Sequence, residues 1–155
     1  MDDLAIALAS ADPAAALPAF EALVQARVGA RLFTIMRFDA ATGLSRRIWT
    51  NAPEVYPVGG EKPLPDNAWT GHVIHQRRDW VANTPDEVAA MLFDHETIAR
   101  LGCGAALNMP VVVAGEVLGT VNLLDAAGHF TPQRLAAARA LRVPAAAVMM
   151  RAAWR

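Results

Sequence analysis

The stretch Leu101 to Asp125, LGCGAALNMPVVVAGEVLGTVNLLD, constrains what this chain can fold into more than any other. Two apolar runs rich in β-branched residues, Ala105 to Val113 and Val117 to Leu124, flank Ala114-Gly115-Glu116, the pattern of a β-hairpin closed by a short Gly-containing loop. Parity along the runs separates their faces. The odd positions Leu107, Met109, Val111, Val113, Val117, Val121 and Leu123 are apolar apart from Gly119, whereas the even positions include Asn108, Thr120 and Asn122. A three-residue loop pairs Val113 with Val117 and so sets Asn108 opposite Asn122 on one face. The odd face is then core. Two amides on the other face need partners, because a buried unsatisfied polar group costs about 1–3 kcal/mol. Either they satisfy each other and nearby backbone, or they face a ligand.

Such a hairpin has to be covered, and the chain has the material to do so. With 155 residues and 54% hydrophobic content it has the size of one ordinary domain, expected to span 1–155, with a continuous core. Fourteen Lys and Arg balance fifteen Asp and Glu for a formal charge of -1, so no field of one sign draws in nucleic acid or an anionic membrane surface. A small ligand or a protein partner fits better. The single cysteine, Cys103, cannot form an internal disulfide, and the N-terminus lacks the basic start, apolar centre and small-residue cleavage site of a signal peptide. No apolar run approaches the roughly 18 residues that span a bilayer. The expectation is a soluble, cytoplasmic protein.

The first 30 residues are Ala-rich and helical in pattern. Asp12-Pro13 reads as an N-cap with proline at the first helical position, while Pro18 argues that the continuous helix begins near itself. Leu17, Phe20, Val24 and Val28 form one buried stripe. Arg31 to Asp39 and Leu44 to Asn51 read as antiparallel strands joined by Ala40-Ala41-Thr42-Gly43. Between Ala52 and Asp66 the breakers Pro53, Pro57, Gly59, Gly60, Pro63 and Pro65 leave room for a short strand around Tyr56 to Val58. Asn67 caps a short helix running to about Gln76, and Trp80 to Asn83 is extended. Thr84-Pro85 with Glu87 reads as a capping box for one helix with Val88, Met91, Leu92, His95 and Ile98 on one face, ended by Gly102 and Gly104. Thr131-Pro132 starts a final helix to the chain end, with Leu135, Ala138 and Leu141 inward, and Pro144 kinks it or ends its first part. Segregated strands and helices predict an α+β fold, an antiparallel sheet with helices on its faces.

At the hairpin the sequence resembles the GAF domain family. The likeness is carried by Leu107-Asn108-Met109-Pro110-Val111, Gly115, Val117-Leu118-Gly119-Thr120-Val121-Asn122-Leu123 and Phe130-Thr131 before the last helix, with Trp69-Thr70-Gly71-His72-Val73 and Trp80-Val81-Ala82-Asn83 in the region of the family's pocket helix and following strand. It covers about residues 18–145, leaving 1–17 as a helical extension and 146–155 as the end of the last helix. The resemblance implies a central antiparallel sheet of five to six strands, terminal helices on one face and ligand-pocket helices on the other. It also implies a small-molecule-binding sensory or regulatory module that dimerises through its terminal helices. Family members bind cyclic nucleotides, bilins, haem, amino acids or small metabolites, so the resemblance leaves the cofactor unassigned.

Departures from the family patterns narrow the choice. The Asn-Lys-Phe-Asp-Glu set of cyclic-nucleotide binders is missing, Cys103 is followed by Gly104 rather than the histidine of bilin binders, and one cysteine does not make a free methionine sulfoxide reductase. Asn83 stands where many members have Asp. A stand-alone module for a small uncharged or zwitterionic metabolite is the reading, with Asn108 and Asn122 orienting the ligand and Trp69, Trp80 and His72 enclosing it. Trp49, Tyr56 and Cys103 also belong to segments expected to wall the cavity, since aromatic walls with a few polar groups suit small-molecule pockets. The alternatives are an enzyme on this scaffold reacting through Cys103 or His72, and an interaction protein whose cavity is filled by its own side chains. His72 and His75 are at i,i+3 with no third ligand at a recognised spacing, so no metal site is expected.

Overall fold

The computed structural model describes residues 2–152; residues 153–155, the expected end of the last helix, lie outside them. Six strands, β1 (Leu32–Asp39), β2 (Leu44–Thr50), β3 (Gly59–Pro63), β4 (Trp80–Ala82), β5 (Ala105–Val113) and β6 (Glu116–Asp125), form one antiparallel sheet in the order β3-β2-β1-β6-β5-β4. The helices divide between its faces as the α+β reading expects. On one side lie α1 (Asp2–Ala9), α2 (Ala16–Arg27), α6 (Pro132–Arg139) and α7 (Arg142–Arg151), whose buried side chains join Phe33, Ile35 and the odd positions Leu107, Met109, Val111, Val121 and Leu123 in one core. On the other lie α3 (Ala68–Thr70), α4 (Pro85–Met91) and α5 (His95–Arg100), which share a smaller core with Leu32, Trp80, Ala106 and Leu124. Among the described residues no helix is long and apolar enough to cross a membrane.

Prolines set the helix starts. The expected cap at Asp12-Pro13 is instead a turn, in which Asp12 accepts from the Ala14 N–H at 2.9 Å, and α2 begins at Ala16. Pro18 sits in its first turn, where a missing N–H costs nothing. The stripe Leu17, Phe20, Val24 and Val28 is buried as read. Pro144 likewise lies in the first turn of α7, so the C-terminal helix breaks around Ala140 and Leu141, ahead of the proline, because the ring clashes with the carbonyl four residues back.

Three other expectations are corrected. The one helix after Thr84 is two, broken at Leu92, whose backbone is extended at φ -106 and ψ 121. The third strand lies at Gly59–Pro63 rather than Tyr56 to Val58, as an edge strand pairing with β2 alone. Prolines are tolerated on such an edge. Finally, the central hairpin has a two-residue turn, not a three-residue loop: Val113 pairs with Glu116 across Ala114 and Gly115, both at positive φ (50 and 81), as a type I′ turn requires. A bulge at Leu118 then shifts the register by one, so that Val111 opposes Gly119 and Asn108 still opposes Asn122.

Candidate functional site

The even face of the hairpin is the floor of a cavity of about 230 Å³ between the sheet and the crossover segments. Thr34 of β1, Asn122 of β6, Asn108 of β5 and Trp80 of β4 occupy one cross-strand row. A chain of hydrogen bonds runs along it. The Trp69 indole Nε1 donates to Asn108 Oδ1 at 2.8 Å, Asn108 Nδ2 donates to Asn122 Oδ1 at 2.9 Å, and Asn122 Nδ2 donates to Thr34 Oγ1 at 3.2 Å. An indole can only donate, so Trp69 dictates which way both amides point. Trp69 is presented by α3, which starts where Asn67 Oδ1 accepts the Thr70 N–H at 3.0 Å and widens into a π-turn over Gly71–His75. The amides do satisfy one another and also line the cavity with Trp69, Thr34 and Thr120.

The opposite end of the cavity carries its charges. Arg47 lies over the Tyr56 ring at 5.1 Å and donates through Nη1 to the Pro57 carbonyl at 3.2 Å, and Tyr56 donates its hydroxyl to Asp94 Oδ2 at 2.5 Å. Burial, and then the hydrogen bond to Asp94 and its negative charge, push the Tyr56 phenol far above its ordinary range. Burial also lowers Arg47, although it stays charged at any physiological pH. Among the described lining residues Arg47 and Asp94 are the charged ones, Ser45 and Asn67 add polar groups, and much of the rest of the wall is apolar, with Met36, Phe38, Met91 and Leu92 prominent. Two buried polar atoms here, Arg47 Nε and Thr120 Oγ1, have no hydrogen-bond partner among the described residues.

A sheet of this order, with terminal helices on one face and a cavity beneath crossover helices on the other, can be compared with known proteins. The family model described as GAF domain matches residues 12–148. The chain belongs to the GAF domain family. Its fold is similar to that of the GAF domain/HD domain protein from Geobacter sulfurreducens, at 16% identity and a TM-score of 0.71 over 90% of this chain and 93% of the other. It is similar to the GAF domain of a two-component sensor histidine kinase from Bacillus halodurans, at 12% identity and a TM-score of 0.71 over 91% and 94%. A third GAF domain, from a phosphoenolpyruvate-protein phosphotransferase of Coxiella burnetii, superposes with a TM-score of 0.71 at 17% identity over 97% and 90%. No curated protein matches the chain in sequence.

In this GAF domain, the other residues singled out from sequence lie away from the cavity. Trp49 is on the helix face, where its Nε1 donates to Glu21 Oε2 of α2 at 2.6 Å. Strict alternation from Ser45 and Arg47 puts Trp49 beside them in the cavity; a bulge in β2, which opposes Ile35 to Trp49 and Met36 to Arg47, turns it over. Trp80 and Cys103 are buried in the smaller core behind the cavity. Cys103 follows Gly102 at the end of α5, its N–H bonded to the Ile98 carbonyl, and burial raises its thiol above the ordinary range. The His72 ring is tied through Nε2 to the Asp79 carbonyl at 2.9 Å. Among the described residues no group of three or more His, Cys, Asp and Glu converges as a metal site. Arg47, Thr34 and Asp94 carry no signal short of the fold itself. Arg47 reads as half of an Arg-Arg pair in an exposed hairpin, Thr34 as one more β-branched strand residue, and Asp94 sits in the unforeseen break between α4 and α5.

Proposed function

We propose that this GAF domain is a sensory or regulatory module that binds a small metabolite carrying no net charge in the cavity above Asn108 and Asn122. The carrying observation is the cavity itself: apolar walls over a floor of polar groups whose directions are set by hydrogen bonds, the composition of ligand pockets. Its volume falls below the roughly 300–1,000 Å³ of pockets for drug-sized ligands, which favours a metabolite of modest size. Arg47 and Asp94 balance each other, which favours an uncharged or zwitterionic ligand. Trp69 closes one side and also orients both amides. Reaction chemistry at Cys103 or His72 finds no support, since neither lines the cavity. That a structural neighbour is the GAF domain of a sensor histidine kinase supports a signalling role.

The test is native mass spectrometry of the protein purified from its own host, with thermal-shift screening against fractionated extract. A retained small molecule, or a fraction that raises the melting temperature of the native protein but not of an Asn108→Leu variant, is expected. Finding neither a retained molecule nor a stabilising fraction would overturn the reading. We further infer that two copies associate through the terminal helices. Val143 and Met150 of α7 are exposed beside Val112 of β5, and with Ala146 and Ala147 they make an apolar groove on that side of the molecule.

A further inference from the structure

Phe93 is 96% exposed, more than any other large apolar side chain described, yet it belongs to the lining of the cavity. It stands in the break between α4 and α5, just after the extended Leu92. Its neighbour Asp94 is turned inwards, where Oδ2 accepts the Tyr56 hydroxyl at 2.5 Å at the charged end of the cavity. The bond that draws Asp94 in leaves Phe93 out.

Asp94 also holds the N-cap position of α5 without serving it. Asn67, Thr84 and Thr131, which cap α3, α4 and α6, are extended, with ψ of 177, 152 and 161, and each accepts a backbone N–H from its own helix. Asp94 has φ -91 and ψ 22 and makes no side-chain cap bond, although Asp is among the preferred N-caps. Rotation about ψ of this one residue takes it to the backbone of the other three, releases Tyr56 and frees the carboxylate to cap α5. The same rotation re-aims Phe93 towards the cavity. A space of about 230 Å³ has room for its ring, since an apolar cavity of about 150 Å³ takes benzene. The two arrangements exchange comparable contributions: a hydrogen bond to an ionised carboxylate in one, a buried phenyl ring and a helix cap in the other.

We propose that the break between α4 and α5 is a two-position switch in which Phe93 plugs the cavity whenever Asp94 leaves Tyr56. The structure holds the open position, with Asp94 in and Phe93 out. An occupant of the cavity competes with the Phe93 ring and selects that position, so the Tyr56 hydroxyl sets how readily the cavity is open.

The test is fluorine NMR of the full chain labelled with para-fluorophenylalanine, in which Phe93 is assigned among the five phenylalanines by a Phe93→Leu variant. The shift of its signal between light and heavy water measures its exposure, and acrylamide quenching of Trp69, isolated by difference from Trp69→Phe, measures access to the cavity. In the native chain Phe93 should show the solvent shift of an exposed ring. Tyr56→Phe keeps the ring and removes the hydroxyl; it should cut that shift by about half or more and lower the quenching of Trp69 by about twofold. Asp94→Asn, which weakens the bond but can still cap, should move both readouts the same way. Adding Phe93→Ser to Tyr56→Phe should restore quenching to at least the native level. Circular dichroism separates a misfolded variant from a plugged one. Phe93 fully exposed in both Tyr56→Phe and Asp94→Asn would overturn the switch. Loss of exposure with Trp69 quenching unchanged would show the ring packing elsewhere and overturn the plug. No metabolite enters the measurement, so either failure leaves the ligand-binding reading standing.

Discussion

Trp69 has a donor and no acceptor, and the order of the cavity floor follows from that asymmetry. Its N–H holds Asn108 Oδ1, and each amide then has one orientation in which donors meet acceptors down to Thr34. Replacing Trp69 with Phe should leave a buried amide oxygen without its donor and cost about 1–3 kcal/mol in urea unfolding. Replacing Asn108 and Asn122 together with Leu should cost less than the sum of the single changes, since removing both partners of a buried bond leaves fewer groups stranded. A double-mutant cycle measures the difference. Tyr56 is the only tyrosine in the chain, so phenolate absorbance reports it without overlap. Its phenol is raised above the ordinary 10.0 by burial and by Asp94, so the folded chain keeps a proton that the unfolded chain releases. Stability should therefore be insensitive to this group below about pH 10 and fall as pH rises beyond it. Absorbance should show no phenolate until the protein unfolds. Ionisation of Tyr56 near pH 10 in a folded sample would contradict this.

At the scale of elements, the two bulges decide more than the regular strands do. The bulge at Leu118 brings Gly119 against β1, where a Cβ would collide with the Met36 carbonyl oxygen, which is backbone and cannot move aside cheaply. Gly119→Ala should therefore destabilise by more than about 3 kcal/mol or prevent folding, whereas an alanine at Gly71, with nothing within 4 Å, has no such conflict. Comparing the two by thermal melting tests the claim. A second device ties the terminal helices to the π-turn on the other side of the sheet. Asp79, with its side chain 7% exposed, holds Arg139 of α6 and Arg142 of α7 through Oδ2, while its backbone carbonyl holds His72 in the π-turn. The arginines are about half exposed, so the pairs themselves add little, but stranding the carboxylate is costly. Removing both arginines should destabilise by about 2 kcal/mol and by more than Asp79→Ala does. Equal losses would show that the charge is not stranded. The hairpin, the cap at Asn67 and the buried stripe of α2 were legible from the sequence because each follows a local periodicity or a side chain that binds its own backbone. The bulges were not, because an extra residue in a strand leaves both flanking patterns intact and shows only when two strands are laid side by side.

Over the whole molecule, the sheet separates two environments that differ in how completely they are filled. The helix face packs Phe20, Phe33, Phe130, Met109 and Met149 with almost no exposure, while the crossover face leaves the cavity. If the terminal helices pair two copies, Val143→Glu with Met150→Glu should shift sedimentation towards the monomer without altering the melting of the monomeric fold, because neither side chain is in the core. An unchanged sedimentation coefficient would discard that interface.

From the sequence alone, the α+β class and the alternation of polar and apolar positions along each strand of the hairpin could be determined, because the period of two along a strand is a local property, whereas the opposition of Asn108 and Asn122 rested on the turn as well. Indeed the turn and the bulge depart from expectation by one residue each in opposite senses, and the amides meet all the same. Only the tertiary structure decided that Trp49 turns away to Glu21, that Trp80 and Cys103 are buried in the smaller core and His72 is tied to the Asp79 carbonyl, and that Arg47, Tyr56 and Asp94 converge at the far end of the cavity. Those outcomes depend on residues distant in sequence sharing one side of the sheet. That is settled by register, bulges and packing between strands, which no single segment encodes.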